Sequence, residues 1–410
     1  MTQGRRFLKI LVLLFGATLL AVGVGCAILY LVLPFVYRGD DLVATNLTIA
    51  STAALTLGLG FALTYHARNS LRGRNSEVFR PPSPWLVVLA FAPCLLLGQA
   101  ILSFLASPRL TSLAFPPLHV LAAVGPALAI LAFVGRRTMA GSWRTVSLEV
   151  CHGAFLAPMG ALAVELAVLL AVVLLLSVIV ALTPGGAGRL MELSLNLQDP
   201  AWLGDPTNLA ELVLSPGVLA AIIVIFVLVA PLVEEFLKGL GVLLLWHRMR
   251  GGSEALLWGV SCGAGFALAE SLFNGTIALE GWWAVMLVRW GATLMHCLGS
   301  GLMGLGWHAA LVSKRPARWV GAYGASAGIH ALWNGAALGV AFLSLLMLTR
   351  PDDLWTQGLA GLAALGLLTF LFLLIISMAL VMLYLTRRAT GAMPEAVALD
   401  QGDSLAGGVL

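Results

Sequence analysis

A short segment in the middle of the chain, PLVEEFLKG at 231–239, places three charged residues inside a run of apolar ones. They are Glu234, Glu235 and Lys238, and the neighbouring GVLAAIIVIFVLVA and LGVLLLW carry no charge. Charged side chains are costly inside hydrocarbon and mark functional sites by default. On a helix, Glu234 and Lys238 are one turn apart and can pair, while Glu235 points about 100° away. A purely structural ion pair is the alternative interpretation.

Three later apolar stretches carry polar residues of the same kinds. Glu270 lies in GFALAESLFNG, Arg289 and His296 lie in RWGATLMHCLGSG, and His330 and Asn334 lie in GIHALWNG. One glutamate or histidine on each of the four stretches is about 12 to 15 residues from the predicted cytoplasmic end, which is roughly 18–22 Å deep. This common level predicts that four consecutive helices share one polar pocket.

These residue types are suited to hydrolysis. A glutamate can take a proton from water, and a histidine can do the same or bind a metal. Asn334 and His330 are candidates to donate hydrogen bonds to an oxyanion. Glu270, His296 and His330 together resemble a zinc site with an open position, although the sequence has no HExxH motif. A glutamate mechanism without a cofactor and a Zn²⁺ mechanism therefore both stay open.

The composition determines where these residues are located. The 410 residues are 60% hydrophobic and 10% charged, whereas soluble proteins carry about 25% charged residues. A membrane-spanning helix needs roughly 20 apolar residues. Ten stretches qualify: 8–36, 46–66, 85–107, 114–135, 147–183, 217–246, 255–278, 282–312, 319–347 and 355–386. We expect an all-α polytopic membrane protein of about ten transmembrane helices, with a polar catalytic core in a four-helix C-terminal unit.

The charged residues outside the stretches predict the orientation. Most of the 23 lysine and arginine residues lie in connections on one side, and basic connections stay in the cytoplasm. We expect a multi-pass protein of the cell (inner) membrane with both termini cytoplasmic. The net charge of +4 follows from this bias, so no nucleic-acid partner is expected. The five cysteines lack CxxC spacing and are typical of small buried residues.

The chain divides into five predicted regions. An N-terminal transmembrane region of about five helices (1–183) precedes an extracytoplasmic linker with candidate interfacial helices (184–216), a four-helix core that carries the polar residues (217–347), a final transmembrane helix (348–388) and a disordered cytoplasmic tail (389–410). The long stretch 147–183 is compatible with one tilted helix or with a helix plus a re-entrant piece.

Four motifs in order resemble the PrsW family of intramembrane proteases, which is related to the CAAX prenyl endoprotease superfamily. They are EExxK at Glu234, Glu235 and Lys238, FxxxE at Phe266 and Glu270, an Arg-then-His span at Arg289 and His296, and HxxWN at His330, Trp333 and Asn334. The resemblance implies an endopeptidase whose paired glutamates and histidines are catalytic. Members are linked to cleavage of membrane-anchored anti-sigma factors. The family often has Asn after the FxxxE glutamate, where this chain has Ser271.

The leading hypothesis is an intramembrane endopeptidase acting on a membrane-anchored protein within the lipid bilayer, with a homo-oligomer left open. The predicted catalytic residues are Glu234, Glu235, Glu270, His296, His330 and Asn334, the supporting residues are Lys238 and Arg289, and the metal ligands, if Zn²⁺ is used, are His296, His330 and Glu270. A proton-coupled secondary transporter and a non-enzymatic membrane scaffold are the rival interpretations.

Overall fold

A computed structural model describes residues 3–276 and 279–391, and these ranges are almost entirely helical. The helices are α1 Gln3–Val36, α2 Leu42–Leu71, α3 Pro84–Phe104, α4 Pro108–Thr138, α5 Trp143–Cys151, α6 Ala157–Ala181, α7 Gly186–Asn196, α8 Pro200–Leu203, α9 Pro206–Leu214, α10 Pro216–Ile223, α11 Ala230–Leu244, α12 Gly252–Asn274, α13 Trp282–Trp307, α14 Pro316–Thr349 and α15 Leu354–Gly391. Within the same ranges, the only extended pairing is an isolated bridge between Val78 and Ser142.

Every one of the ten predicted apolar stretches contains a helix. In the described part of the chain, nine helical segments are long and apolar enough to cross a membrane. The 26-residue helix α13, which carries Arg289 and His296, is not among the nine. The prediction of an all-α polytopic membrane protein is confirmed.

Two of the spans are joined helices. The stretch 147–183 forms one helical segment, Trp143–Ala181, so the re-entrant alternative is wrong. A π-helical turn, His152–Leu156, joins α5 to α6, and another, Val224–Val229, joins α10 to α11. Such turns insert a residue into the helix and shift the direction of the side chains that follow.

The linker 184–216 forms three short helices, α7 to α9. Asp199 and Asp205 cap the starts of α8 and α9 by accepting hydrogen bonds from Ala201 N at 2.9 Å and Thr207 N at 2.8 Å. At the other end of the chain, α15 continues to Gly391. The expected tail beyond that residue lies outside the described residues.

The chain forms two compact units. Among the described residues, the first unit comprises 3–156, 238–276, 279–322 and 378–391, and the second comprises Ala157–Leu237 and Tyr323–Ser377. Helix α12 is the centre of the first unit, where it packs against α4, α5 and α13. An aromatic cluster of Phe91, Phe115 and Trp282 lies in the same unit.

Two glycines let α12 approach α13 closely. The sequence spacing of Gly259 and Gly263 favours close helix packing. A Cβ atom at Gly263 would collide with the backbone carbonyl of His296, and one at Gly259 would collide with the carbonyl of Ser300. The backbone of α13 is therefore held against α12 at His296.

The second unit places α14 beside the segment that leads into α11. Tyr323 Oη donates to the carbonyl oxygen of Leu232 at 2.9 Å, and Gly335 faces Val227 in the π turn. In that turn the backbone N–H of Ala230 donates to the carbonyl oxygen of Ile225. The contacts position the first turns of α11 against α14.

We expect Gly263→Ala to lower the free energy of unfolding by about 1–3 kcal/mol, because the added methyl group has only backbone atoms to displace. The matched control is Gly58→Ala in α2, an exposed helical position with no neighbouring atoms. This control should be neutral or slightly stabilising, since Ala favours helix over Gly. Thermal unfolding of the purified protein in detergent compares the two, and equal melting temperatures would contradict the close approach.

Candidate active site

The predicted glutamates and lysine all lie on α11, which crosses from one unit to the other. The boundary falls between Leu237 and Lys238. Glu234 and Glu235 therefore belong to the second unit, and Lys238 belongs to the first.

In the second unit, both oxygens of Glu235 are engaged. Oε1 lies 2.9 Å from Nδ1 of His330, and Oε2 accepts a hydrogen bond from Ser326 Oγ at 2.6 Å. Glu235 and His330 are both buried. A carboxylate only accepts hydrogen bonds, so His330 donates from Nδ1 and its Nε2 is the acceptor nitrogen.

Glu234 lies on the other side of that imidazole. Its Oε2 is 3.9 Å from Nε2 of His330, and its side chain is 15% exposed, compared with 0% for Glu235. Adjacent glutamates on one helix therefore have different surroundings. Glu235 is fully buried and holds His330, whereas the side chain of Glu234 is partly exposed.

Asn334 lies one turn beyond His330 on α14. Its Nδ2 donates to the carbonyl oxygen of Phe226 at 2.9 Å. Phe226 lies in the π turn before α11, so this bond fixes the backbone immediately upstream of the two glutamates. Trp333, between them, is buried in packing.

In the first unit, His296 is held at both ring nitrogens. Lys238 Nζ lies 2.8 Å from Nδ1, and Glu270 Oε2 lies 2.8 Å from Nε2. An ammonium group only donates, so Nδ1 accepts and Nε2 donates to the carboxylate. Phe266 adds a second contact to Lys238, whose Nζ lies 4.4 Å from the centre of the aromatic ring.

Glu270 accepts hydrogen bonds from three side chains. Arg289 Nη2 lies 2.7 Å from the same Oε2 that faces His296, and Asn274 Nδ2 donates to Oε1 at 3.4 Å. Arg289 Nε also donates to Ser271 Oγ at 3.1 Å. Ser271, where the family often has Asn, thus supplies a hydrogen-bond acceptor that orients Arg289.

The predicted residues fall into two sets, one in each unit. The second-unit set contains Glu234, Glu235, His330 and Asn334, and the first-unit set contains Lys238, Glu270, Arg289 and His296. Each set pairs one imidazole with one carboxylate. The pocket shared by all eight residues stays a prediction.

Sequence reasoning missed several polar residues that take part. Ser326 could not be distinguished from other helical serines. The roles of Ser271 and Asn274 as partners of Arg289 and Glu270 can be recognised only in the structure, where Arg289 and Glu270 are paired. Sequence reasoning also did not predict that Glu149 and His152 lie close together. Both pack against Gly241 on α11 in the first unit, and the spacing of three residues, which places two side chains on one helix face, was the available signal.

The fold and side chains define a class of protein. A polytopic helical membrane protein that pairs carboxylates with imidazoles inside its helices has the groups of a membrane-embedded hydrolase. The family described as "PrsW family intramembrane metalloprotease" matches residues 142–376, more than half of the chain. The chain belongs to this family, and the predicted resemblance is confirmed. The match extends upstream of the four sequence motifs and includes Glu149 and His152.

Comparisons with curated proteins and with solved structures gave no match. Membership of the PrsW family supports a membrane protease that acts on a membrane protein substrate.

We expect the Arg289–Glu270 pair to be energetically coupled. Arg289→Met leaves a carboxylate beside His296 without its cation, and Glu270→Leu leaves a guanidinium without its anion, so each single change should destabilise the protein. The double variant removes both charges and should be more stable than the sum of the single effects predicts, by about 1–3 kcal/mol. Thermal unfolding in detergent completes this cycle. Strictly additive effects would show that the pair contributes no coupling.

Proposed function

We propose that this protein is an intramembrane endopeptidase in which Glu234 is the carboxylate that handles water. The family supports a protease of the membrane, and one observation supports this division of roles. Glu235 is fully buried with both oxygens hydrogen-bonded, whereas Glu234 is partly accessible beside His330. A general base must reach the proton that it removes, and of the two glutamates Glu234 meets this condition.

The donor set fits the metal that the family description implies. Metal-ligating histidines usually donate their other ring N–H to a carboxylate, and His330 and His296 are held in this way by Glu235 and Glu270. We propose that His330 through Nε2, His296 through Nδ1 and Glu234 through one oxygen hold Zn²⁺. Two imidazoles and a carboxylate would leave an open position, and the ion would supply Lewis acidity to a carbonyl group.

This proposal changes the role assigned to Glu270. The sequence made it a candidate ligand beside His296 and His330. Its Oε2 instead accepts from His296 and Arg289, which suits a residue that orients the imidazole. At Nδ1 of His296, Lys238 donates a hydrogen bond that a metal ligand bond would replace.

The residues then act on the peptide bond as follows. Glu234 accepts a proton from water while the water oxygen bonds to the carbonyl carbon. Asn334 keeps one N–H on Phe226 and directs the other to the carbonyl oxygen, where negative charge develops. The carbon–nitrogen bond then breaks, and Glu234 returns the proton to the leaving amine.

We further propose the substrate class and the setting. The family resemblance favours a membrane-anchored regulatory protein of the anti-sigma type. The basic connections favour the inner membrane with both termini in the cytoplasm. Both proposals depend on the sequence rather than on the geometry of the side chains.

We expect Glu234→Gln to reduce the rate of cleavage by about 10²–10⁴-fold, because Gln can neither accept the proton nor serve as a carboxylate ligand. The assay uses the full chain in proteoliposomes with a membrane-anchored reporter substrate. Glu235→Gln is the matched variant one residue away. We expect this variant to lower the melting temperature of the protein, because Glu235 is the buried partner of Ser326 and His330. Full activity of Glu234→Gln, or proton flux without cleavage, would contradict the proposed function.

Metal content distinguishes ligands from orienting residues without any substrate. We expect His330→Ala and His296→Ala to abolish stoichiometric Zn²⁺, measured by elemental analysis of the purified protein. Glu270→Gln should retain the metal with an affinity weakened by about 10–100-fold, as expected for a partner of a ligand. Loss of metal from Glu270→Gln as complete as from His330→Ala would instead make Glu270 a ligand.

A further inference from the structure

The first unit contains a second polar feature, separate from the residues described above. A cavity of about 360 Å³ lies where the beginning of α1, the end of α2, the beginning of α5 and the end of α11 meet. This volume is within the range of roughly 300–1,000 Å³ that is usual for ligand pockets. The basic connections predict that this end of the helices faces the cytoplasm.

The polar part of the cavity is cationic. Lys9, Arg144 and Arg248 line it together with two histidines, and no acidic residue lines it. Among the described residues, Arg144 and Arg248 form no ion pair, and their positive charges repel each other. Arg144 Nη2 donates to the carbonyl oxygen of Arg74 at 2.8 Å, but its buried Nε has no hydrogen-bond partner in the described part of the chain.

Two like charges without a counter-ion raise the electrostatic energy of the folded state. An anion between Arg144 and Arg248 would relieve this repulsion and provide an acceptor for the Nε of Arg144. A phosphate group suits the arrangement, since guanidinium groups bind it by charge-assisted hydrogen bonds. The polar end of the cavity therefore selects for a phosphate-bearing ligand.

The remaining wall of the cavity is apolar. Val12, Leu63 and Leu148 line it, and at its rim Leu8 and Leu244 are 62% and 67% exposed. In a membrane-spanning helix such exposed leucines face lipid rather than water. A soluble anion would gain no binding energy from contact with these apolar side chains, whereas an acyl chain can lie along them.

We propose that this cavity binds an anionic phospholipid, with its headgroup phosphate between Arg144 and Arg248 and an acyl chain along the leucines at the rim. Basic pockets between transmembrane helices on the cytoplasmic side commonly bind such headgroups. Arg248 belongs to the short 3₁₀ turn Trp246–Arg248, which follows α11. The lipid thus anchors the end of α11 to the start of α5.

The test uses the full chain in detergent, titrated with phosphatidylglycerol and followed by melting temperature and native mass spectrometry. Phosphatidylglycerol should bind and raise the melting temperature, and phosphatidylcholine should not. Arg144→Gln with Arg248→Gln should weaken binding by about fivefold for each charge removed, or about 20–30-fold together. The matched control removes two exposed charges at the same end of the helices, Arg68→Gln with Arg72→Gln. It should change binding less than about twofold, because neither side chain lines the cavity and exposed charges are screened by salt.

Each outcome decides the proposal. Equal stabilisation by inorganic phosphate would show a phosphate site without lipid specificity and would overturn it. Equal weakening of lipid binding by the control pair would show that general surface charge accounts for the effect, and this result would also overturn the proposal. If the double variant does not fold, Arg248→Gln alone tests the site, because this side chain is exposed. Unchanged lipid affinity in that variant would also reject the site.

Discussion

The organisation of the polar residues follows from the cost of charge in hydrocarbon. A charged group within a membrane-spanning helix must find a partner or line a cavity. This chain meets the requirement twice with the same device, a carboxylate hydrogen-bonded to an imidazole: Glu235 with His330, and Glu270 with His296. Each pair fixes the tautomer of its histidine, because the nitrogen that faces the carboxylate donates and the other nitrogen is the acceptor. At His296 that acceptor nitrogen faces Lys238.

The helices maintain these pairs through backbone contacts. Gly263 brings α12 against the carbonyl of His296, which leaves Glu270 and His296 on helices that cannot easily shift relative to each other. In the second unit, the π turn Val224–Val229 releases its Phe226 carbonyl to Asn334, and Tyr323 binds the carbonyl of Leu232. Side chains alone would be too mobile for this task, because a glutamate loses considerable rotamer entropy when it is held in one position.

The sequence predicted the fold class and the eight polar residues because both depend on strong, local signals. Runs of about 20 apolar residues specify helices, and charges within them are conspicuous. It could not predict that Glu270 would accept from both His296 and Arg289, since that depends on which rotamers meet across α12 and α13. It also missed Glu149, which lies near the start of its span and resembles an ordinary residue at a helix end. The π turns were equally hidden, because an inserted residue leaves no trace in hydropathy.

The two glutamates of α11 illustrate why residue type alone does not assign a role. Glu234 and Glu235 are chemically identical and adjacent, and both could serve as a base in isolation. Their directions differ by about 100°, so one faces Ser326 and His330 while the other stays partly accessible. Both oxygens of Glu235 already accept hydrogen bonds from Ser326 and His330 and the side chain is fully buried, so Glu235 is the less accessible of the two carboxylates. In the mechanism that we propose, those same partners hold His330 where Glu234 can work beside it. The paired motif would then combine a reactive carboxylate with the one that positions its neighbour.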